Sequence, residues 1–194
     1  AQRKVENALR LSELINGDRA EFDPALNELA VAGALDMDIQ GVTSDSRSVR
    51  PGFLFAALPG SVTDGRRFIP EAVARGAVAV LMSSDGEVGT EASFCRIADA
   101  NPRRRLACIA ARFYARQPAT IAAVTGTNGK TSVAEFARQL WASVGARSAS
   151  LGTLGLITAA GRSGPGLTTP DPVALHAQLC DLAAGGTDCL AIEA

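Results

Sequence analysis

The chain has 194 residues, between one and two domains at about 150 residues each, and its 47% hydrophobic and 20% charged residues exclude a disordered or fibrous protein. The formal net charge of −1 offers no broad positive surface, so we expect neither nucleic acid nor a membrane as a partner. The single histidine, His176, excludes multi-histidine zinc sites and argues against serine–histidine hydrolase chemistry.

The N-terminal stretch AQRKVENALRLSEL is charged and amphipathic, without the apolar core of a signal peptide. No apolar run in the chain approaches the about 18 residues that a membrane-spanning helix needs. The four cysteines show no C-x-x-C spacing and are typical of small buried hydrophobic residues in a reducing compartment: Cys95, Cys108, Cys180 and Cys189. These features predict a cytoplasmic protein.

Short strands and turns alternate in the first half of the chain. The pattern predicts strands at GVTSDSR and at FLFAAL, then a short helix over residues 69–75 and an apolar strand over 77–82. A polar segment precedes one further strand, FCRIA. We therefore predict a small α/β domain over residues 1–98, with the domain border near Asp99.

Residues 99–194 form the second predicted domain. The run Arg103-Arg104-Arg105 opens a helix and is typical of a solvated helix face. After the strand TIAAV, the next helix carries an apolar stripe that we expect to face the core: Val133, Phe136, Ala137, Leu140, Trp141 and Val144. Asp171-Pro172 open a further helix, and DCLAIEA is a final apolar strand. This alternation predicts an α/β fold with a mostly parallel, doubly wound sheet and helices on both faces.

The segment VTGTNGKTS, residues 124–132, follows an apolar strand and opens an amphipathic helix, which is the context of a phosphate-binding loop. Gly126 and Gly129 allow a close backbone approach, so that N–H groups can turn toward phosphate oxygens. Lys130 supplies a compact positive charge for the terminal phosphates, and the Thr131 hydroxyl can bind magnesium. Val124 stands where the strict G-x-x-x-x-G-K-[ST] pattern has glycine. The loop indicates a nucleoside triphosphate with magnesium but not which reaction.

The string TGTNGKTS resembles the ATP loop of the Mur ligase family. Four further segments are similar to the uridine-binding domain of that family: SDSR at 44–47, PGFLFAALPG at 51–60, DGRRFI at 64–69 and AxxxGAVAV at 72–80. Three more are similar to the members that add the third residue of the peptidoglycan peptide: LGTLG at 151–155, TTPDP at 168–172 and the terminal AIEA. The resemblance covers residues 40–194 of the chain.

This resemblance implies ATP-dependent amide bond formation in peptidoglycan precursor synthesis. The substrates would be UDP-N-acetylmuramoyl-L-alanyl-D-glutamate, ATP and a diamino acid, either diaminopimelate or lysine, and the cofactor would be Mg²⁺. It implies a UDP-substrate-binding domain followed by the first part of a P-loop-containing ATP-binding domain. Since family members have three domains and are longer, we expect a fragment with little or no ligase activity alone.

The resemblance also implies roles for individual residues. The ATP-binding residues would be Gly126, Thr127, Asn128, Gly129, Lys130, Thr131 and Ser132, with Lys130 acting in catalysis. Thr131 and Glu193 would bind the metal. Ser44, Ser46 and Arg47 would bind the UDP substrate: Ser44 and Ser46 would hold its uridine end, and Arg47 would support the same loop with Asp45 as a structural partner. Thr168 and Thr169 would bind its muramoyl and peptide end.

Simpler interpretations stay open at this point. Ser44 and Ser46 can be turn residues that bond their own backbone. Thr168, Thr169 and Asp171 can cap the following helix, and Glu193 can be a structural strand-end carboxylate. The alternatives for the function are a dipeptide-adding ligase, which TGTNGK together with TTP disfavours, a P-loop kinase or regulatory ATPase, and a purely binding or structural module.

Overall fold

The computed structural model of the chain describes residues 8–15, 36–60, 63–85, 94–164 and 171–194. The chain divides into two compact units, Ala1–Phe113 and Tyr114–Ala194, and each unit is described by itself. Among the described residues, no helix is long and apolar enough to cross a membrane.

The first unit is built on a parallel sheet. Its elements in chain order are β1 (Leu9–Arg10), α1 (Leu11–Ile15), β2 (Asp38–Ile39), β3 (Gly41–Thr43), β4 (Phe53–Ala56), α2 (Ile69–Ala74), β5 (Ala77–Ser83), β6 (Cys95–Asp99) and α3 (Pro102–Phe113). Strands β3, β4, β5 and β6 pair in that order and all run parallel, whereas β1 and β2 form a separate antiparallel pair. The inner strands β4 and β5 are nearly continuous apolar runs, as a parallel strand covered on both faces requires.

Helix α3 belongs to the first unit. Leu106 and Ile109 are fully buried in it. Arg105 is only 3% exposed, and its Nε donates to Asp99 Oδ2 at 2.5 Å. The unit thus continues past the predicted border near Asp99, because α3 packs back onto this sheet. The prediction of a solvated arginine face is wrong for Arg105, since the carboxylate of Asp99, three residues before the helix start, pairs with it inside the fold.

The second unit contains the doubly wound sheet. Its elements are β7 (Thr120–Val124), α4 (Lys130–Ser143), β8 (Ser148–Gly152), β9 (Gly155–Thr158), β10 (Gly161–Ser163), α5 (Pro172–Ala184) and β11 (Cys189–Glu193). The strand order is β10-β9-β8-β11-β7, in which β8, β11 and β7 are parallel and β9 and β10 add an antiparallel edge. The predicted α/β fold with a mostly parallel sheet is confirmed.

Helices α4 and α5 cover opposite faces of this sheet. The side chains of β8 alternate between them. Ser148 and Ser150 donate to α4, at the Arg138 carbonyl and the Glu135 carboxylate, at 2.8 and 3.0 Å. On the other face, the apolar side chains of α5 pack against those of the sheet: Leu179 and Leu182 against Ala149, Leu151 and Leu190. The parallel strands therefore lie between two layers of helix, α4 on one face and α5 on the other.

The apolar stripe of α4 does not face this sheet. Val133, Phe136, Leu140 and Val144 are 52%, 62%, 68% and 79% exposed, and Ala134 is the buried apolar residue of the helix. The prediction of a core-facing stripe is therefore wrong in this structure. Periodicity identifies an apolar face but not the side on which the sheet lies, and the serine hydroxyls of β8 bind the polar face of the helix.

Candidate functional site

The glycine loop connects β7 to α4 at the carboxyl end of the parallel strands. Gly126 and Gly129 have φ angles of 142° and 79°, which side chains rarely adopt. A Cβ atom at either position would meet nothing within 4 Å, so these positions require glycine for its backbone angles and not for space. The loop from Thr125 to Gly129 is exposed, and the N-terminus of α4 adds its partial positive charge there.

Lys130 is the first residue of α4. Its Nζ donates to the Gly126 carbonyl at 2.7 Å, so the ammonium lies across the loop. Thr127, Asn128 and Ser132 are exposed next to it. All seven residues predicted to bind ATP therefore lie together in one loop and helix start, with a single cation among them.

Glu193 ends β11 beside this loop, because β11 pairs in parallel with β7 and places Glu193 opposite Val124. The side chain is only 4% exposed. Its Oε2 accepts from Thr131 Oγ1 at 3.1 Å, which brings together the two predicted metal-binding residues across 62 positions of sequence. Among the described residues, no arginine or lysine forms an ion pair with Glu193.

Two residues next to Glu193 do not appear among the predicted site residues. Thr153 donates to Glu193 twice, from its backbone N at 3.1 Å and from its Oγ1 at 2.9 Å. A Cβ atom at Gly152 would lie 2.1 Å from Glu193 Oε1, so only glycine leaves room for the carboxylate. The segment LGTLG contains both residues, but the sequence alone does not indicate which carboxylate they face.

The oxygen atoms of Glu193 and Thr131 suit a hard cation such as Mg²⁺. Buried carboxylates are ordinarily paired with a positive group, and the contacts of Glu193 are neutral hydroxyl and amide donors. Mg²⁺ takes oxygen ligands and commonly uses one or two protein groups together with phosphate and water. The Thr131 hydroxyl and the Glu193 carboxylate fit that requirement. Among the described residues, no group of three or more His, Cys, Asp or Glu side chains could hold a metal by itself.

The thiols and the histidine take no part in this site. All four cysteines are free and partly exposed, whereas the sequence predicts burial. Desolvation raises the pKa of the Cys95 thiol, which keeps it protonated and makes it a poor nucleophile. Desolvation lowers the pKa of His176, so its neutral form is favoured.

A second polar group lies one turn further along α4. Glu135 accepts from Arg138, from Gln139 at 2.9 Å and from Ser150 at 3.0 Å. These contacts, chiefly that with Arg138, lower the pKa of Glu135 to about 2. Because Ser150 lies on β8, this network fixes the polar face of α4 to the sheet and thereby holds the start of the helix in place.

This network predicts a pH-dependent stability. The pKa of Glu135 in the folded chain lies below its ordinary value of 4.5, so ionised Glu135 stabilises the fold above about pH 4.5 and the contribution is lost as the pH falls toward 2. We expect Glu135→Gln to lower the free energy of unfolding by on the order of 1–3 kcal/mol at pH 7. Urea unfolding should show this difference shrinking between about pH 5 and pH 2. The exposed Glu13→Gln is the matched control, and a pH-independent difference would contradict the assignment.

In the first unit, the predicted uridine-binding residues form a turn after the carboxyl end of β3. Asp45 accepts from the Arg47 backbone N at 3.0 Å and from the Arg47 guanidinium at 2.9 and 3.0 Å. These bonds lower the pKa of Asp45 and confirm it as the structural partner of Arg47. Ser46 is buried, and its Oγ donates to Glu71 Oε2 on α2 at 2.9 Å rather than to its own turn. Ser44 lies partly exposed in the same turn.

The remaining predicted substrate residues, Thr168 and Thr169, lie outside the described residues. The neighbouring Asp171 accepts from the Val173 backbone N at 2.7 Å and caps α5, which confirms the capping interpretation for Asp171. The structure therefore brings together the residues predicted to bind ATP and metal in the second unit, and those predicted in the turn 44–47 in the first.

Family comparisons cover both units. Residues 38–114 match a profile described as "Mur ligase family, catalytic domain", and residues 124–194 match "Mur ligase middle domain". A UDP-N-acetylmuramoyl-L-alanyl-D-glutamate–2,6-diaminopimelate ligase of Bradyrhizobium diazoefficiens is 52% identical over 186 residues, which are 96% of this chain and 36% of that protein. A ligase of the same name from Brucella melitensis is 47% identical over 168 residues, 87% of this chain and 34% of that protein.

Solved structures agree with these matches. A structure of a ligase with the same name superposes with a TM-score of 0.72 at 28% identity, over 97% of this chain and 36% of that one. A MurF ligase from Thermotoga maritima, at 22% identity and a TM-score of 0.53, covers 78% of this chain and 31% of that one and shares the fold. The chain thus spans between 31% and 36% of the length of these relatives. Both compact units match the same family in order, and this chain belongs to the Mur ligase family.

Proposed function

We propose that this chain supplies the UDP-substrate unit and the ATP-binding part of an ATP-dependent ligase of peptidoglycan precursor synthesis. The ligase would join 2,6-diaminopimelate to UDP-N-acetylmuramoyl-L-alanyl-D-glutamate in the cytoplasm. The observation that carries the ATP-binding half is the contact of Thr131 with buried Glu193 beside the glycine loop. The choice of diaminopimelate over lysine, and over the dipeptide-adding reaction, is supported by the names of the relatives at 47% to 52% identity.

The reaction begins with the substrate's D-glutamyl carboxylate. A carboxylate oxygen attacks the γ-phosphorus of ATP, and the bond between this phosphorus and the β-phosphate oxygen breaks. ADP is the leaving group, and the substrate becomes an acyl phosphate. The amine nitrogen of the diamino acid then attacks the acyl carbon, phosphate departs with the C–O electron pair, and the nitrogen loses a proton. Activation is required because a carboxylate is a poor acyl donor.

The residues of this chain serve the first of these steps by position and charge. The loop 125–129 and the start of α4 would bind the phosphates through backbone N–H groups. Lys130 would exchange its bond with the Gly126 carbonyl for phosphate oxygens and neutralise charge there. Such preorganised charge provides most of the catalysis of phosphoryl transfer.

Thr131 and Glu193 would hold Mg²⁺ in this proposal. When bound, the ion neutralises the phosphate charge that develops during transfer. The hydroxyl hydrogen of Thr131 is donated to Glu193, so the Thr131 oxygen retains lone pairs for a ligand. The buried position of Glu193 keeps competing water away from its carboxylate.

Substrate binding by the first unit is proposed for Ser44, Ser46 and Arg47, and Thr168 and Thr169, which are residues of the second unit, are proposed for the muramoyl and peptide end of the substrate. The turn 44–47 follows a strand end of a parallel sheet, which is where ligands of open α/β sheets commonly bind. The guanidinium of Arg47 is largely exposed while its Asp45 contacts fix its direction. This orients a cation toward solvent, where an anionic nucleotide can reach it.

Replacing Arg47 tests this half of the proposal. Calorimetry should show that Arg47→Ala weakens UDP-N-acetylmuramoyl-L-alanyl-D-glutamate binding about 10-fold or more, since hydrogen bonds to charged groups contribute about 1.5–3 kcal/mol. Arg147→Ala is the matched control, because Arg147 forms a similarly exposed pair with Asp188 in the second unit. A wild-type chain that binds Mg²⁺-ATP but shows no response to this UDP compound would instead favour a P-loop kinase or regulatory ATPase.

A further inference from the structure

Thr153 contacts both oxygens of the Glu193 carboxylate. Its backbone N reaches Oε1 at 3.1 Å and its Oγ1 reaches Oε2 at 2.9 Å. Two donors from one residue fix the plane of the carboxylate, which a single hydrogen bond leaves free to rotate. Gly152, the preceding residue, lies against Oε1 as well, and a Cβ atom at this position would be only 2.1 Å from that oxygen. The turn after β8 is therefore shaped around this one side chain.

The orientation of the Glu193 carboxylate sets the direction of the Thr131 hydroxyl, which donates to it. Glu193 Oε2 accepts from both Thr153 Oγ1 and Thr131 Oγ1, at 2.9 and 3.1 Å. The three donors occupy three of the about four acceptor positions of a carboxylate. If the carboxylate rotates, the hydroxyl of Thr131 loses its acceptor and the direction of its lone pairs is no longer set. Among the hydrogen bonds of the described residues, those of Glu193 connect Thr153 to Thr131.

We propose that Thr153 is a positioning residue that orients Glu193, and through it the Thr131 hydroxyl, for divalent cation binding at the glycine loop. This inference rests on the proposed function, which assigns the cation to Thr131 and Glu193. Thr153 acts from outside the cation's own ligands, in the way that second neighbours of metal sites hold their ligands in place.

The test compares Thr153→Val with Thr153→Ser. Valine keeps the shape and the backbone N but removes the hydroxyl, whereas serine retains it. In the ADP-bound 194-residue chain, electron paramagnetic resonance titration with Mn²⁺ should give about 10-fold weaker cation binding for Thr153→Val and less than about 3-fold for Thr153→Ser. ADP affinity in EDTA should match wild type for both. Thr158→Val, a threonine of the same unit bonded at Gly161 and Ala160, should leave all values unchanged.

A crystal structure of the nucleotide-free Thr153→Val chain separates this inference from the proposed function. We expect Glu193 Oε2 to move beyond hydrogen-bond distance of Thr131 Oγ1. If the Thr131–Glu193 contact persists unchanged, or if Thr153→Val and wild type bind Mn²⁺ equally, Thr153 has no positioning role. If the wild-type chain binds neither ADP nor Mn²⁺, the proposed function fails, and the distance between Thr131 and Glu193 in the variant still decides the positioning role.

Discussion

Lys130→Ala will weaken Mg²⁺-ATP binding by about 10–100-fold, because it removes charged hydrogen bonds that contribute about 1.5–3 kcal/mol. The loop otherwise offers neutral backbone donors, and Lys130 is the cation at the start of α4. Isothermal titration calorimetry with a non-hydrolysable ATP analogue measures the change. The analogue prevents turnover from obscuring the binding affinity.

The fold should tolerate this substitution. Lys130 is only partly buried, and its ammonium bonds one loop carbonyl, so the unliganded variant should unfold within about 1 kcal/mol of wild type. Lys130→Arg retains the charge but not the compact shape, and we expect it to recover only part of the affinity. Unaltered affinity in Lys130→Ala would favour a purely binding or structural module without a phosphate site at this loop.

Gly152→Ala will destabilise the second unit by about 2–4 kcal/mol, which combines overpacking with a buried carboxylate that loses its donors. The new Cβ atom would lie 2.1 Å from Glu193 Oε1 and 2.2 Å from Cδ, so the carboxylate must leave its place. It would then lose the hydrogen bonds from Thr131 and Thr153. Urea denaturation followed by circular dichroism measures the free energy of unfolding.

Two comparisons make this result specific. Gly185→Ala places a Cβ atom 3.3 Å from its nearest neighbour, the Asp181 carbonyl, and should cost less than about 1 kcal/mol. In a Glu193→Ala background the clash partner is gone, so adding Gly152→Ala should cost much less than it does in wild type. Equal costs in the two backgrounds would show that Gly152 is not shaped around Glu193.

The local sequence pattern predicts those site residues that are close together along the chain. Gly126, Gly129, Lys130 and Thr131 lie within one strand–loop–helix segment, so their spacing alone brings them together. Glu193 is 62 positions from Thr131, and its predicted metal-binding role rests on the family resemblance rather than on spacing. No local pattern predicts Thr153 and Gly152 as site residues, because their contacts depend on how β8 and β11 pair.

The sequence predicts the order of strands and helices in the fold better than it predicts what they pack against. Alternating strands and helices correctly indicate a mostly parallel sheet. The apolar stripe around Phe136 and Leu140 indicates an amphipathic helix, yet the sheet lies on its opposite, polar face because Ser148 and Ser150 bond there. Arg105 is likewise charged but buried, since Asp99 neutralises it locally. The burial of Arg105 depends on where Asp99 lies, and the orientation of α4 depends on β8, so neither follows from the periodicity of the helix itself.

Whether the glycine loop and Glu193 form one Mg²⁺-nucleotide site can be seen in a crystal structure of the chain with Mg²⁺ and a non-hydrolysable ATP analogue. We expect the terminal phosphates to lie within hydrogen-bond distance of the backbone N–H groups of residues 126–132 and of Lys130 Nζ. We also expect the ion to lie next to Thr131 Oγ1 and Glu193. A nucleotide bound elsewhere on a folded chain, or an ion without contact to this threonine and carboxylate, would contradict this expectation.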